Sequence, residues 1–146
     1  MTASDRILDL AIIGSGIAGL AAAHAARDTG LTCMILDKGR RVGGRVSTKR
    51  AGGFTFNHGA QFLTARAPAF VSAAETAIAH AALARWHVAG RDALAGQPTM
   101  RDFPDFLQQG LAVRQQTEIA TIRHDSDSIC LVDQDGETVS ARQVIV

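Results

Sequence analysis

The chain has little that would commit it to disulfides, metals, nucleic acid or a membrane. It contains two cysteines, Cys33 and Cys130. They stand singly in apolar, strand-like runs with no CxxC pair and no metal spacing around them, which excludes a disulfide scaffold and a zinc site and makes them reduced core residues of a cytoplasmic protein. An excess of one charge is also missing. The 15 Lys and Arg residues against 14 Asp and Glu leave a net charge of +1, so no global field draws the chain to nucleic acid or to an anionic membrane. Long apolar runs are absent too. The stretch Leu10 to Ala26, preceded by Arg6 and carrying Ala23 and Ala25, superficially resembles a signal peptide. Gly14, Gly16 and Gly19 interrupt it, His24 and Arg27 close it, and it falls short of the ~20 residues that a spanning helix needs. No Ser-His-Asp set is visible, and His80, His87 and His124 have no partner at triad or ligand spacing. At 146 residues the chain suffices for one domain with a core but is short for a protein holding both a dinucleotide and a substrate.

What is present is an ordered run of strand and helix signals. Leu8 to Ile13 is almost wholly apolar, as in a strand buried on both faces of a parallel sheet. Ile17 to Thr29 carries Leu20 and many alanines, helix formers small enough to lie close on a sheet, and Gly30 stops it. Thr32 to Leu36 is a second strand with Asp37 at its end. Lys38 to Arg50 holds Lys38, Arg40, Arg41, Arg45, Lys49 and Arg50 without an acidic residue, and reads as a basic loop or the start of a helix. Gly52 to Thr64 predicts short strands or an extended segment. Phe70, Val71, Ala74, Ile78, Ala81 and Ala82 recur at helical intervals, so one amphipathic helix is predicted from Pro68 to Trp86. A loop follows over Gly90 to Gln97, then a short helix over Asp102 to Leu111 with Pro104 in its first turn and Gly110 near its end. Glu118 to Arg123, Ile129 to Asp133 and Thr138 to Ala141 read as strands of an antiparallel meander, with Asp135-Gly136 as a hairpin turn. Gln143 to Val146 begins another buried strand, and an end inside an apolar run is expected of a truncated chain. Trp86 and the phenylalanines are expected in the core, with Phe62 the exception as a candidate cofactor stacker.

Gly14-Ser15-Gly16-Ile17-Ala18-Gly19 fits GxGxxG, a weak pattern by itself. Its context makes it specific: it follows a buried strand, opens a helix, and precedes a second strand whose end carries Asp37. Gly14 permits the tight turn, Gly16 removes the side chain that would hold a pyrophosphate off the backbone, and Gly19 lets helix and strand pack closely. The N–H groups of Ile17, Ala18 and Gly19 then lie at a helix N-terminus, whose positive dipole end stabilises phosphate charge. Asp37 would accept hydrogen bonds from the adenosine ribose and repel a 2′-phosphate, which disfavours NADP. Arg41-Val42-Gly43-Gly44-Arg45 adds a second close-approach backbone site and a cation that can fork onto phosphate oxygens, which suits a ligand larger than ADP. A solvated basic loop with a flexible Gly-Gly hinge remains the alternative for that stretch.

Ala11 to Gly19, Leu36-Asp37-Lys38 and Arg41-Val42-Gly43-Gly44-Arg45 together resemble the FAD-binding signature of the amine-oxidase-like flavoproteins, among them monoamine oxidases, protoporphyrinogen oxidases, carotenoid desaturases and renalases. Phe56 to Arg66 is similar to the stretch of renalase-like bacterial oxidoreductases that passes beside the flavin ring. Leu111-Ala112-Val113 and Thr117 to Ile122 resemble the entry into that family's meander. The resemblance implies FAD as cofactor, with Lys38 beside the ribose acceptor, Gly44 and Arg45 at the pyrophosphate, Gly59, Ala60, Gln61 and Phe62 along the flavin, and the Ile119 backbone at the adenine. Asp37 stands where Glu is more frequent, Asn57 where Asp is common, and Phe62 where Tyr is common. His58 is either a proton-transfer group or a structural residue.

The expected fold is α/β. A Rossmann-like FAD/NAD(P)-binding domain with a parallel sheet is joined to a meander and the start of a substrate domain. Residues 1–66 are expected to form the ADP-binding unit with its Gly-Gly motif, 67–111 an inserted helical piece, and 112–146 the meander and return strand. The implied activity is hydride transfer from a small-molecule substrate to the flavin with reoxidation by oxygen. The alternatives are an NAD-binding dehydrogenase domain and a non-catalytic dinucleotide-binding module or inert fragment. Nothing in the residues nominates a catalytic group or a metal ligand.

Overall fold

The computed structural model describes residues 7–146, so Arg6 lies outside the described residues. In chain order the elements are β1 (Leu8–Ile13), α1 (Ile17–Asp28), β2 (Cys33–Leu36), β3 (Thr48–Ala51), β4 (Phe54–Asn57), α2 (Pro68–Ala79), β5 (Leu83–Val88), β6 (Arg91–Gly96), α3 (Asp102–Leu107), β7 (Val113–Arg114), β8 (Ile119–His124), β9 (Ile129–Asp133) and β10 (Thr138–Ile145). They fall into two compact units. The first takes the described residues up to Gly44 together with Gly110–Val146, and the second is Arg45–Gln109.

The first unit is a six-stranded sheet in the order β7-β2-β1-β10-β9-β8. β7, β2, β1 and β10 run parallel, and β9 and β8 complete the antiparallel meander. Apolar β1 occupies the interior because both of its neighbours are parallel strands: Leu10 pairs with Cys33 and Ile13 with Leu36 on one side, and Leu8 with Ala141 and Ile12 with Ile145 on the other. Ala11, Leu36, Leu131 and Ala141 form a buried cluster, with Leu8, Ile13, Met34, Ile119, Val139 and Val144 packed against it. α1 buries Leu20, Ala23 and Ala26, the narrow face its alanines predict. The two strand segments expected over Thr138 to Ala141 and Gln143 to Val146 are one strand. β10 pairs antiparallel with β9 through Thr138 to Ala141 and parallel with β1 from Ala141 to Ile145, and no turn residue interrupts it. The architecture is the expected α/β one, a Rossmann-like parallel sheet with an attached meander.

The second unit departs further from the sequence reading. The basic segment ends in a strand, β3, which turns at Gly52-Gly53 into β4. The helix expected from Pro68 to Trp86 stops at Ala79, and Leu83–Val88 is a strand. The loop expected over Gly90 to Gln97 is mostly its partner, β6, and pairs from Leu83↔Gly96 to Val88↔Arg91. α3 ends at Leu107, before a turn in which Gly110 takes a φ of 74°. The inserted piece is therefore not purely helical. The aromatics divide as well. Phe103 is buried, whereas Trp86 (42% exposed), Phe54 (68%), Phe56 (52%) and Phe62 (43%) are not core residues here.

Among the described residues no helix is long and apolar enough to cross a membrane.

Candidate dinucleotide site

β1 ends at Ile13, and the turn Gly14 to Gly16 leads directly into α1. Gly14 has a φ of 104°, a conformation that L side chains rarely adopt, and its N–H donates to the Leu36 carbonyl at 2.8 Å. Gly19 faces the start of the turn. A Cβ there would stand 2.0 Å from the Gly14 oxygen and 3.4 Å from Ile12 Cγ2, so only glycine fits where helix meets strand. Above Gly14 and Gly16 the reverse holds, because an added Cβ would meet nothing within 4 Å. The first N–H groups of α1 lack intrahelical partners, no side chain caps them, and its first turn carries no acidic residue. Open space over a bare helix N-terminus suits an anion. The turn also lies at the C-terminal end of β1, between β2 and β10, where the strand order reverses.

Asp37 closes the floor of the turn. Its Oδ2 accepts from the Ser15 N–H at 2.5 Å and the Ser15 hydroxyl at 2.7 Å, and its Oδ1 accepts from the Gly39 N–H at 2.6 Å. Partial burial pushes the carboxyl pKa upward. The Ser15 and Gly39 hydrogen bonds and the neighbouring Lys38 charge outweigh it and hold the group below the ordinary carboxylate value. Ser15 itself is fully buried.

The Gly-Gly segment lies on the same turn. Gly43 N–H donates to the Ser15 carbonyl at 2.9 Å, Gly16 and Gly43 form a parallel bridge, and a Cβ on Gly44 would sit 3.4 Å from Gly16 Cα. With its amide oriented to satisfy both groups, Gln115 donates to the Arg40 carbonyl at 2.8 Å and accepts from the Val42 N–H at 3.2 Å. Thr117 N–H donates to the Asp37 carbonyl and Gln116 N–H to the Gly39 carbonyl, both at 2.9 Å, which brings the start of β8 and Ile119 to the Asp37 end of the sheet. The first unit thus gathers Gly14, Ser15, Gly16, Ile17, Ala18, Gly19, Asp37, Lys38, Gly44 and Ile119.

The second unit holds the other candidates. Arg45 is exposed, and its carbonyl accepts from Ala60 N–H at 2.9 Å while a Cβ on Gly59 would fall 1.9 Å from the same oxygen. Asn57, just before this segment, accepts through Oδ1 from the Thr48 hydroxyl at 2.8 Å and from Met100 N–H at 3.2 Å. His58 Nε2 lies 3.2 Å from Ser47 Oγ. Gln61 is exposed, and Phe62 stands edge-on to Trp86 with ring centroids 6.2 Å apart. His87 does have a partner, Asp92 Oδ1 at 3.1 Å, supplied by the β5–β6 register rather than by sequence spacing.

Two contributors went unread in the sequence. Gly39 had a usable signal, since Asp-x-Gly after a strand is a turn in which the carboxylate bonds the backbone two residues on. Thr117 had none.

Residues 12–74 match the NAD(P)-binding Rossmann-like domain family. Polyamine oxidase 3 of Oryza sativa subsp. japonica is 42% identical over 52 residues, 36% of this chain and 11% of that protein. The 4,4′-diapophytoene desaturase of Staphylococcus haemolyticus is 40% identical over 52 residues, again 36% of this chain and 10% of that protein. A single-site mutant of putrescine oxidase, from a redesign of its cofactor binding, superposes with a TM-score of 0.74 at 14% identity over 95% of this chain and 57% of that one. Over these 52 residues the chain is similar to a polyamine oxidase and to a desaturase, and it shares the fold of the putrescine oxidase structure. The open space over Gly14 and Gly16 beside bare helical N–H groups fits the pyrophosphate of a dinucleotide such as FAD. The matched segment covers only about a tenth of the length of these curated relatives.

Proposed function

We propose that the chain is the ADP-binding part of a renalase-like or amine-oxidase-like oxidoreductase acting on a small-molecule substrate. The observation that carries this reading is the Gly14 to Gly19 turn. It leaves open space above a bare helix N-terminus, and the Gly43-Gly44 segment is hydrogen-bonded along it. In this proposal the Gly14-Ser15-Gly16 turn and the N–H groups of Ile17, Ala18 and Gly19 face the pyrophosphate, Asp37 beside Lys38 takes the ribose, and the Ile119 backbone meets the adenine. Gly44 lets the loop approach, and Arg45 supplies a cation for phosphate. Gly59, Ala60, Gln61 and Phe62 are assigned to the flavin side by the same resemblance. Residues 1–66 and 112–146 make up the cofactor-binding portion, and 67–111 begin the substrate-binding portion. Held there, a flavin would supply hydride-accepting chemistry toward a reduced substrate, an amine or a reduced nicotinamide isomer, with oxygen as the final oxidant. The protein's own part is to bind, orient and shield from water.

The match to an NAD(P)-binding family favours one second reading, an NAD-binding dehydrogenase domain. One experiment separates them: visible absorption of the purified chain, and thermal melts with FAD and with NAD. A retained flavin spectrum, or stabilisation by FAD and not by NAD, is expected. Stabilisation by NAD alone would replace the proposal with the dehydrogenase reading.

A further inference from the structure

The Asp37 carboxylate is more committed than a ribose ligand needs to be. An ionised carboxylate offers about four acceptor sites, two on each oxygen. Among the described residues three donors already occupy it: Ser15 N–H and Ser15 hydroxyl on Oδ2, and Gly39 N–H on Oδ1. Two of the three are backbone groups, one fixed by the β1-to-α1 turn and one by the turn after β2. Because each oxygen is held by a backbone N–H, the carboxylate cannot swing to present both oxygens to the same ligand. The buried Ser15 hydroxyl takes the remaining site on Oδ2. One site is left, on Oδ1. Its surroundings depend on residue 39, since a Cβ on Gly39 would lie 2.8 Å from Oδ1.

We propose that Ser15 and Gly39 are specificity-determining residues of the dinucleotide site: Ser15 withdraws Oδ2 from the ligand, Gly39 keeps Oδ1 open, and Asp37 accepts one ribose hydroxyl instead of two. The inference rests on the proposed dinucleotide function and adds to it how the adenosine ribose is read. Asp37 then does two jobs, tying the phosphate turn to β2 and taking a single hydroxyl. A longer carboxylate side chain could pass the turn and reach both hydroxyls. The methylene that Asp lacks relative to Glu therefore sets the number of contacts.

The test is calorimetric binding of ADP, 2′-deoxy-ADP and 3′-deoxy-ADP to the full chain, to Ser15→Ala and to Gly39→Ala. In the unsubstituted chain one of the two deoxy analogues should lose roughly ten-fold in affinity and the other should stay within about two-fold of ADP, the loss of one hydrogen bond to a charged group. Ser15→Ala frees a site on Oδ2, so both analogues should then bind more weakly than ADP. Gly39→Ala crowds Oδ1 and should weaken ADP itself while narrowing its advantage over the sensitive analogue. Equal losses for both analogues in the unsubstituted chain would show two-hydroxyl recognition and overturn the inference, as would no loss for either. Failure of ADP to bind at all would instead remove the dinucleotide reading, and this inference with it. The comparison in the unsubstituted chain decides the matter even if a variant does not fold.

Discussion

Gly19 and Asp37 show how much a single side chain decides in this turn. In an exposed helix Gly→Ala gains about 1 kcal/mol from propensity. At Gly19 the sign reverses, because the new Cβ would stand 2.0 Å from the Gly14 carbonyl oxygen, which is backbone and cannot move aside without opening the turn. Gly19→Ala should therefore destabilise the chain by about 3 kcal/mol, at the upper end of overpacking costs. Urea unfolding measures it as a lower midpoint at unchanged slope, and a stabilised variant would mean that helix and strand are not in contact there. Asp37 makes a prediction in pH. Its carboxyl ionises at lower pH in the folded chain than in the unfolded one, so it contributes stability that is fully present above the ordinary value of about 3.9 and is lost as pH falls through the lower, folded value. Asp37→Asn should destabilise the chain near neutral pH, and its deficit should shrink in unfolding curves taken progressively below 3.9. A deficit independent of pH would mean that the carboxylate charge contributes nothing.

Among the elements, α2 and β10 differ most from their sequence signals, for opposite reasons. α2 ends in a Schellman arrangement: Ala82 N–H donates to the Ala77 carbonyl and Ala81 N–H to the Ile78 carbonyl, both at 2.9 Å, with Ala81 at a φ of 56°. Glycine normally fills that left-handed position. Here an alanine holds it, so the stop is silent in the sequence and the helical period of Ala81 and Ala82 reads straight through it. Ala81→Gly should relieve the left-handed Cβ clash and stabilise the chain by about 1 kcal/mol, visible as a higher melting temperature. A lower melting temperature would show that the alanine methyl contributes more packing than its conformation costs. β6 was equally hidden, since Arg91, Asp92 and the small residues after them have poor strand propensity and gain it by pairing with β5. β10 is the reverse case, with strand signal throughout and two different neighbours. Its change of partner at Ala141 leaves no mark because both pairings need the same extended backbone.

Over the whole molecule, the binding free energy of FAD would appear directly as folding stability if the proposed function holds. At a free concentration 100 times its Kd a ligand selective for the folded state adds about 2.7 kcal/mol, so the melting temperature should climb with FAD concentration and stay level with NAD. A flat FAD titration with a rising NAD one would transfer the site to the other dinucleotide. The order β1-α1-β2, the glycine turn, Asp37 at the strand end and the meander were legible in residue order, because each is specified by neighbours within a few positions: apolar runs, glycine spacing, a turn dipeptide. Residue order also pointed to Arg45 and Gly59, but not to the Ala60 N–H bonded to the Arg45 carbonyl. Three-dimensional pairing settled the rest. Ser15 and Gly39 converge on one carboxylate from two separate turns, and β10 joins the meander to the parallel sheet. Such features depend on distances between residues far apart in the chain, and local propensity holds no record of those distances. Hydrogen-bond satisfaction and close packing select them once the strands have met.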